Sequence, residues 1–415
     1  LIHTLPTPNE YDNYINQVFV NGYNIDKGTI NVNVTFGNKF SNDKLVNFKL
    51  HFDGDKSNSY YKNGTISSTS QWIQLSNIAV PNYKLWSIDS PNLHTMELEW
   101  VNSSNDQIDT IEVRFGIREV GIDPDTYRIT LNKEIIKLKG WDRHTMYPDT
   151  GNALTLSQIE QDMTILKQAG ANYVRGAHYP QDQRWLDLCD ENGIIMWSET
   201  LGPGVSTSDL KNPYFMKYQI QQVNEMLDSA YNNPSILWWG FYNEGPSNDK
   251  NAIPGYNASA TAIRARDNTR YITWANNHHM SDVIQSTPIA DIASFNDYPA
   301  WYNNYGDINY CYTIWAEYAN DVITQWKKPF LISETGAGGV YEYNNSTNVK
   351  WSQLYQSQVI YADIYEALNN SQISGITVWQ FSDIKANQGA TSSCGQCDYY
   401  TDETLCAYID VSCSR

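Results

Sequence analysis

Basic residues are scarce in this 415-residue chain. Lys and Arg number 28 against 46 Asp and Glu, a formal net charge of −18 with neutral His. Such a chain repels phosphate backbones, which excludes nucleic acid as a partner. Long apolar runs are missing as well. Stretches such as Ile194–Trp197 fall far short of the ~20 residues that a spanning helix needs, so a membrane partner is not expected. No charged segment followed by an apolar one opens the chain at Leu1, which places any signal peptide outside it. Chemistry-bearing motifs are absent too. There is no G-x-S-x-G, no H-E-x-x-H and no Gly-rich phosphate loop after the first strand of the second region. These gaps argue against a serine hydrolase, a zinc hydrolase and a nucleotide-binding sheet, so no metal and no cofactor are expected.

Cysteine is sparse until the end. Cys189 and Cys311 stand alone, in contexts that suit small buried apolar groups, and Cys394, Cys397, Cys406 and Cys413 crowd the last 22 residues. Four clustered thiols fit either one zinc knuckle or two disulfides. The short Tyr/Asp-rich segment without a second C-x-x-C favours disulfides and thus a secreted or endolysosomal location. The seven N-x-S/T sequons, at Asn33, Asn63, Asn102, Asn257, Asn344, Asn345 and Asn369, are what chance yields in so Asn- and Ser/Thr-rich a chain and carry no weight.

What the chain has in excess is aromatic: 30 Tyr and 14 Trp. Both offer a flat apolar face with a hydrogen-bonding tip, which suits stacking on a sugar but equally a Tyr-rich surface.

Two regions differ in period. Residues 1–118 read as short strands over Gln17–Val20, Thr29–Phe36, Leu45–Phe52, Trp72–Leu75, Met96–Trp100 and Thr110–Phe115, split by turns at Asp53-Gly54 and Asn63-Gly64. Alternation is clearest at Ile30, Val32, Val34 and Phe36. That pattern predicts an antiparallel β-sandwich, which by itself implies no chemistry. From 119 to 390, apolar runs alternate with helical stretches. Strands are expected at Ile135–Leu138, Tyr173-Val174, Ile194–Trp197, Ile236–Trp239, Tyr271–Trp274, Ile292–Phe295, Phe330–Ile332 and Ile376–Phe381. Thr155-x-x-Gln158 reads as a capping box opening a helix with Ile159, Met163 and Leu166 inward. Eight such strands fit one (β/α)8 TIM barrel, with an open doubly wound sheet as the alternative. Residues 391–415 form the Cys-rich C-terminal segment.

In a barrel, chemistry sits at the C-terminal strand ends. The residues following the eight runs are Asp142-Arg143-His144, then Arg175 with His178 and Tyr179, Glu199, Asn243-Glu244, Asn276 through His279, Asn296-Asp297-Tyr298, Glu334, and Asp383 with Lys385. Glu244 and Glu334 end long apolar runs on strands four and seven, across the barrel mouth. Two facing carboxyls are what glycoside hydrolysis requires: one protonates the leaving oxygen and the other acts as nucleophile or base. Trp238, Trp239 and Phe241 are expected to bury Glu244 and raise its pKa. Glu119, ahead of the barrel, is expected to be structural, and Glu199 to support the site or bind an ion. The His residues suit hydrogen bonds to sugar hydroxyls or a carboxylate.

At these residues the chain resembles glycoside hydrolase family 2. Asn172-Tyr-Val-Arg175-Gly-Ala-His178-Tyr-Pro180, continuing through Trp185-Leu186, Asp190 and Gly193-Ile-Ile-Met-Trp197, is similar to its first signature, with Gly176 as a departure. Asn233-Pro-Ser-Ile-Leu-Trp238-Trp-Gly240-Phe-Tyr-Asn243-Glu244 is similar to its second. Leu85–Leu93 and Phe115–Glu119 resemble the end of its immunoglobulin-like domain. The resemblance implies an immunoglobulin-like β-sandwich followed by the barrel. It implies a retaining exo-β-glycosidase with Glu244 as acid/base and Glu334 as nucleophile, and a carbohydrate or glycoconjugate as substrate. Asn243 would hold the sugar 2-hydroxyl, His144 and His178 would line the sugar subsite, Tyr298 would flank the nucleophile, and Arg175 and Trp379 would complete the binding set.

Among the members, Asn296-Asp-Tyr298-Pro-Ala-Trp301-Tyr302, Phe381-Ser-Asp383 through Asn387-Gln388-Gly389, and Leu1–Pro6 resemble β-glucuronidases. Terminal β-glucuronides are therefore the expected substrates, with β-galactosidase or a non-catalytic carbohydrate-binding barrel as alternatives. An adhesion role for the β domain alone fits the barrel's catalytic residues poorly. Relatives begin with a jelly-roll domain, which implies that the chain is a fragment, a processed subunit or a truncated form. Their Asn-x-Lys carboxylate grip would fall just beyond Arg415. A homo-oligomer is compatible with the family.

Overall fold

The computed structural model describes residues 13–383 apart from 279, 284–285, 341–342 and 345–348. The Cys-rich segment and Leu1–Pro6, singled out above, lie outside the described residues, as do Lys385 and Asn387–Gly389.

The alternating N-terminal region forms two antiparallel sheets. One takes β1 (Ile15–Asn24), β2 (Thr29–Phe36) and β5 (Trp72–Ala79) in the order β1-β2-β5. The other takes β3 (Lys44–Phe52), β4 (Asp55–Ile66), β6 (His94–Val101) and β7 (Gln107–Phe115) in the order β4-β3-β6-β7. Every second side chain of β2 faces inward, and Ile30, Val32, Val34 and Phe36 meet Phe48, Leu50, Leu98 and Trp100 in one core. This is the period-2 rule acting on a two-layer sandwich.

Strand β4 was not anticipated. Its sequence, DKSNSYYKNGTI, is polar and mostly exposed. It is an edge strand, where neither face must be apolar. The Asp53-Gly54 turn is present, with both residues at positive φ, the geometry of a tight hairpin. Asn63-Gly64 is not a turn. It lies inside β4 opposite Asn47 and Val46, and a Cβ at Gly64 would meet Ile73 Cδ1 at 2.6 Å.

A small antiparallel sheet of β8 (Val120–Ile122), β9 (Ile129–Leu131) and β10 (Glu134–Ile135) leads into the barrel. Ile129 and Leu131 join Tyr173, Trp197 and Trp238 in one buried cluster. The barrel strands are β11 (Leu138–Asp142), β12 (Tyr173–Arg175), β13 (Ile195–Glu199), β14 (Ile236–Gly240), β15 (Tyr271–Thr273), β16 (Ala275–Asn276), β17 (Ala293–Asn296), β18 (Phe330–Glu334) and β19 (Ile373–Val378). All pair in parallel, in the order β15-β14-β13-β12-β11-β19-β18-β17-β16. β15 and β16 are separated only by Trp274, so they act as one staved strand and the count is eight.

The first barrel strand therefore starts at Leu138, where Ile135–Leu138 was expected; Ile135 belongs to the preceding hairpin. Ile135 pairs with Thr130 of β9, so the barrel strand can begin only after that hairpin. Gly140 lies flush against β12, where a Cβ would come within 1.6 Å of the Tyr173 carbonyl oxygen. The last strand likewise sits three residues early, at Ile373–Val378.

Helices α1 (Leu156–Gln168), α2 (Gln183–Asn192), α3 (Thr207–Lys211), α4 (Pro213–Ala230), α5 (Ile253–Arg266), α6 (Asn309–Asp321) and α7 (Gln353–Asn369) follow the strands. The capping box of α1 is reciprocal. Gln158 N donates to Thr155 Oγ1 at 3.3 Å, and Thr155 N donates to Gln158 Oε1 at 2.8 Å. Ile159, Met163 and Leu166 are its buried stripe. Among the described residues between β16 and β17 the helical element is a 3₁₀ turn at Met280–Asp282. Among the described residues no helix is long and apolar enough to cross a membrane.

The sandwich docks on the barrel through polar bonds. Asn232 Nδ2 donates to Val18 O at 2.8 Å and its Oδ1 accepts from Val20 N at 2.9 Å. Buried Arg118 donates to Pro234 O and to Ile236 O at the start of β14.

Candidate active site

Six strands end on a polar residue: Asp142, Arg175, Glu199, Asn276, Asn296 and Glu334 are each the last residue of β11, β12, β13, β16, β17 and β18. Closing the sheet brings these ends to one mouth, because parallel strands share a direction.

At its floor lies Arg175, fully buried. Its Nη1 donates to Glu334 Oε1 at 2.7 Å and to Asp142 Oδ1 at 3.2 Å. Nη2 donates to Glu199 Oε1 at 3.0 Å and Asn243 Oδ1 at 2.9 Å, and Nε donates to Glu199 Oε2 at 3.3 Å. Its guanidinium also lies 4.8 Å from the Trp197 ring centroid. The fork geometry and delocalised charge suit arginine to this role, where a lysine would reach fewer partners.

One cation among three buried carboxyls leaves excess negative charge, and the acids divide it unequally. Burial pushes Asp142 well above the ordinary carboxylate range, and Glu334 and Glu199 add to this against Arg175. Burial also raises Glu199, but Arg175 and the hydrogen bond with His178 outweigh it and hold Glu199 below its ordinary value. Burial raises Glu334, opposed by Arg175 and His178 and reinforced by Glu244. Burial thus favours the neutral form of Asp142, while Arg175 and His178 favour the anion of Glu199. Glu199 is thus tied to Arg175 and His178, a supporting position.

The second oxygen of Glu334 is fixed from the opposite side. Tyr298 Oη donates to Oε2 at 2.8 Å. Burial and the neighbouring Glu334 raise the Tyr298 phenol, so it remains a donor. Glu334, only 4% exposed, is clamped at both oxygens.

Glu244 is held differently. It follows β14 in a loop where Tyr242 and Glu244 both adopt positive φ, a conformation that costs L-residues ~1 kcal/mol or more each. Glu244 N donates to Ala275 O at 3.0 Å and pins the loop to the next strand. Its carboxylate is half-buried and accepts from two amides, Asn296 Nδ2 at 3.0 Å and Asn277 Nδ2 at 3.2 Å. The tryptophans expected to wrap it do not. Trp238 joins the buried cluster with Tyr173 and Trp197, and Trp239 and Phe241 join the cluster with the helices. Glu244 lies four residues beyond the end of β14 at Gly240, past the strand that carries the tryptophans.

The amides are oriented by their partners. Ser333 Oγ donates to Asn296 Oδ1 at 2.7 Å, so the Asn296 NH₂ faces Glu244 and Asn243. Asn243 Oδ1 accepts from both Arg175 and Asn296, the latter at 3.2 Å. Its own NH₂ is thereby left to donate elsewhere.

An aromatic wall completes the cleft. His178 stacks on Trp379 at 5.0 Å and 9°, and His144 meets both edge-on at 5.4 and 5.3 Å. His178 Nδ1 lies 3.2 Å from Glu199 Oε1 and 3.1 Å from Arg175 Nη2. His144 Nδ1 lies 3.1 Å from Tyr179 Oη. Burial, with His178 and Arg175 adding to it, lowers His144 to about 4, so the ring is neutral above that pH.

Hydrogen bonds thus link Arg175, His178, Asn243, Glu244, Tyr298 and Glu334, and ring contacts add His144 and Trp379. Sequence reasoning did not single out Asp142, Asn277 or Asn296 as site residues. Their signal was the strand-end position, which marks a residue as mouth-facing without saying what it meets. Arg143, one residue before His144, turns away to pair with Asp162 at 2.7 Å. Glu119 is exposed outside the barrel. Among the described residues no group of three or more His, Cys, Asp and Glu is arranged to hold a metal ion.

Comparison with known proteins agrees with this architecture. Residues 124–409 match the family described as "Glycosyl hydrolases family 2, TIM barrel domain" and residues 13–118 match "Glycosyl hydrolases family 2". A β-glucuronidase of Paenibacillus borealis is 25% identical over 332 residues, covering 76% of this chain and 54% of that protein. A β-galactosidase of Thermoanaerobacterium thermosulfurigenes is 32% identical over 220 residues, 52% of this chain and 28% of that one. A GH2 β-galacturonidase of Eisenbergiella tayi, solved with galacturonate bound, superposes with a TM-score of 0.81 at 27% identity, covering 92% of this chain and 67% of that one. The chain spans about half the length of the β-glucuronidases it matches. With both of its folded regions matched and its strand-end acids gathered at one mouth, the chain belongs to glycosyl hydrolases family 2.

Proposed function

We propose that the chain carries the catalytic site of a retaining exo-β-glycosidase acting on terminal β-uronides, glucuronides foremost. One observation carries the assignment of roles: the two acids are held unequally. Glu334 is clamped at both oxygens by Arg175 and Tyr298, as a nucleophile needs for a fixed line of attack. Glu244 is more exposed and touches two neutral amides where Glu334 touches a guanidinium and a phenol, which places it as the acid/base partner on the open side of the mouth. The Asn243 NH₂ would donate to the sugar 2-hydroxyl, a contact that strengthens in the transition state. Trp379 and His178 would offer a flat stacking wall. The uronide reading is supported by the glucuronidase and galacturonidase relatives.

The test is release of 4-nitrophenol from aryl β-glucuronide, β-galacturonide, β-galactoside, β-mannoside and β-glucoside, with Glu334→Gln as the blank. Uronide turnover above that blank is expected. Glu244→Ala should lose most activity on substrates with poor leaving groups, because only they need protonation. Equal turnover by the wild type and Glu334→Gln would sink the nucleophile assignment. Turnover confined to galactosides would move the substrate to the β-galactoside class.

A further inference from the structure

The end of β18 breaks the regular pleat. Phe295 of β17 pairs with Ile332 and Asn296 with Glu334, so Ser333 is one residue in excess of the partner strand. In a regular strand successive side chains point to opposite faces. An inserted residue bends the strand and re-aims the side chains beside it. Leu331 joins the buried cluster with Tyr173 and Trp238, and Ile332 joins the opposite one with Phe295 and Trp315. Ser333 and Glu334 then depart from that alternation, and both meet residues at the mouth. Glu334 is held by Arg175 and Tyr298, and the Ser333 hydroxyl donates to Asn296 Oδ1 at 2.7 Å. The Ser333 carbonyl accepts from side chains, Thr377 Oγ1 at 2.8 Å and Arg175 Nη1 at 3.3 Å.

The amide that Ser333 holds is fully committed. One nitrogen, Asn296 Nδ2, donates to Glu244 Oε1 at 3.0 Å and to Asn243 Oδ1 at 3.2 Å. Turning the amide over would set its oxygen against a carboxylate and a carbonyl oxygen, so the hydroxyl on one side and the two acceptors on the other select one orientation. Ser333, Asn296 and Asn243 are all buried. Without the hydroxyl, Asn296 Oδ1 loses its donor where bulk water does not replace it. The residue next to the nucleophile in the chain thus reaches, through one amide, both the acid/base and the side chain that faces the sugar 2-hydroxyl.

We infer that Ser333 is a positioning residue that acts through Asn296 to fix Glu244 and Asn243 against each other, and that the extra residue in β18 is what places its hydroxyl there. The inference rests on the glycosidase reading above and deepens it. It names the group that couples the leaving-group proton to the 2-hydroxyl contact.

The test compares wild type with Ser333→Ala on four aryl β-glycosides of the sugar that the wild type cleaves: with and without the 2-hydroxyl, each with a good and a poor leaving group. An orphaned buried acceptor corresponds to a loss of roughly 5- to 100-fold in kcat/KM on the 2-hydroxy substrate with the poor leaving group. The loss should shrink on the 2-deoxy substrates, where Asn243 has nothing to hold, and again with the good leaving group, which needs no proton. Ser333→Cys is close in volume and a weaker donor. It repeats the comparison without emptying the position, and its losses should lie between those of wild type and Ser333→Ala. Equal losses on all four substrates are the mark of a structural role and overturn the inference, as does no loss at all; both leave the glycosidase reading standing. If wild type cleaves none of the aryl β-glycosides above the Glu334→Gln blank, that reading fails and this role fails with it.

Discussion

Replacing Arg175 with methionine removes the guanidinium that touches Asp142, Glu199 and Glu334 at once. Methionine roughly matches the stem and keeps a contact with Trp197, so the perturbation is mainly electrical. Two effects follow. The first is on stability. Breaking a buried ion pair from one side costs about 3–5 kcal/mol, because the remaining charge is stranded. Here the carboxyls are at most 4% exposed, and they relieve the cost by taking up protons. That sets the expected loss toward the lower end of the range, several degrees in Tm. The second effect is on the nucleophile. An adjacent guanidinium lowers a carboxyl pKa by about 1–3 units. Burial already raises Glu334, and Arg175 is the first force opposing that rise. Without it Glu334 titrates higher still, and its ionised fraction at any given acidic pH falls. The acid limb of kcat/KM against pH should therefore move alkaline by about 1–3 units. The assay is an activated aryl β-glycoside, so that leaving-group protonation does not limit the rate. Arg175→Lys restores a positive charge without the fork and should shift the limb less than methionine does. If Arg175→Met melts with the wild type and keeps its acid limb, the charge-balance account of this site is wrong.

Two further outcomes concern the frame around the site. Arg118→Met leaves Pro234 O without its donor, while Ile236 O keeps one from Arg270 at 2.9 Å. One orphaned buried carbonyl predicts a loss of about 1–3 kcal/mol in denaturant unfolding, and an unchanged midpoint would show that the sandwich does not brace β14. Asp363, buried, accepts from Trp315 Nε1 and from Thr335 Oγ1, both at 2.8 Å, and Thr335 adjoins Glu334. Burial raises this carboxyl to about 7 from 3.8. Its folded pKa is above the unfolded one, so the folded state holds the extra proton between roughly pH 4 and 7 and stability falls as pH rises through that window. Asp363→Asn should flatten that decline in Tm, and an equal slope in both proteins would refute it.

The fold class was legible in the chain because it depends on period. Alternation at Ile30–Phe36 needs only a sheet with one buried face, and recurring apolar runs with helical stretches between them need only a parallel barrel. Glu334 was legible for a related reason: a charge abutting a long apolar run marks a strand end, and strand ends in a barrel share one mouth; Glu244 follows such a run but sits four residues past the end of β14. Strand β4 was not legible, because an edge strand needs no apolar face. Nor was the start of β11, which depends on Ile135 pairing with Thr130 in the preceding hairpin.

What the linear order could not carry was direction and partnership. It placed Trp238, Trp239 and Phe241 beside Glu244 in sequence, yet the pleat sends them into core clusters. It set Glu119 ahead of the barrel and Glu199 at a strand end without giving either a partner; closure leaves the first exposed and pairs the second with Arg175. The orientation of the Asn243 amide is set by Arg175 and Asn296, from strands 68 and 53 residues away. Periodicity and strand-end position are properties of neighbouring residues, so they survive in one dimension. Charge balance and amide orientation depend on groups distant in sequence, and only the closed barrel brings those together.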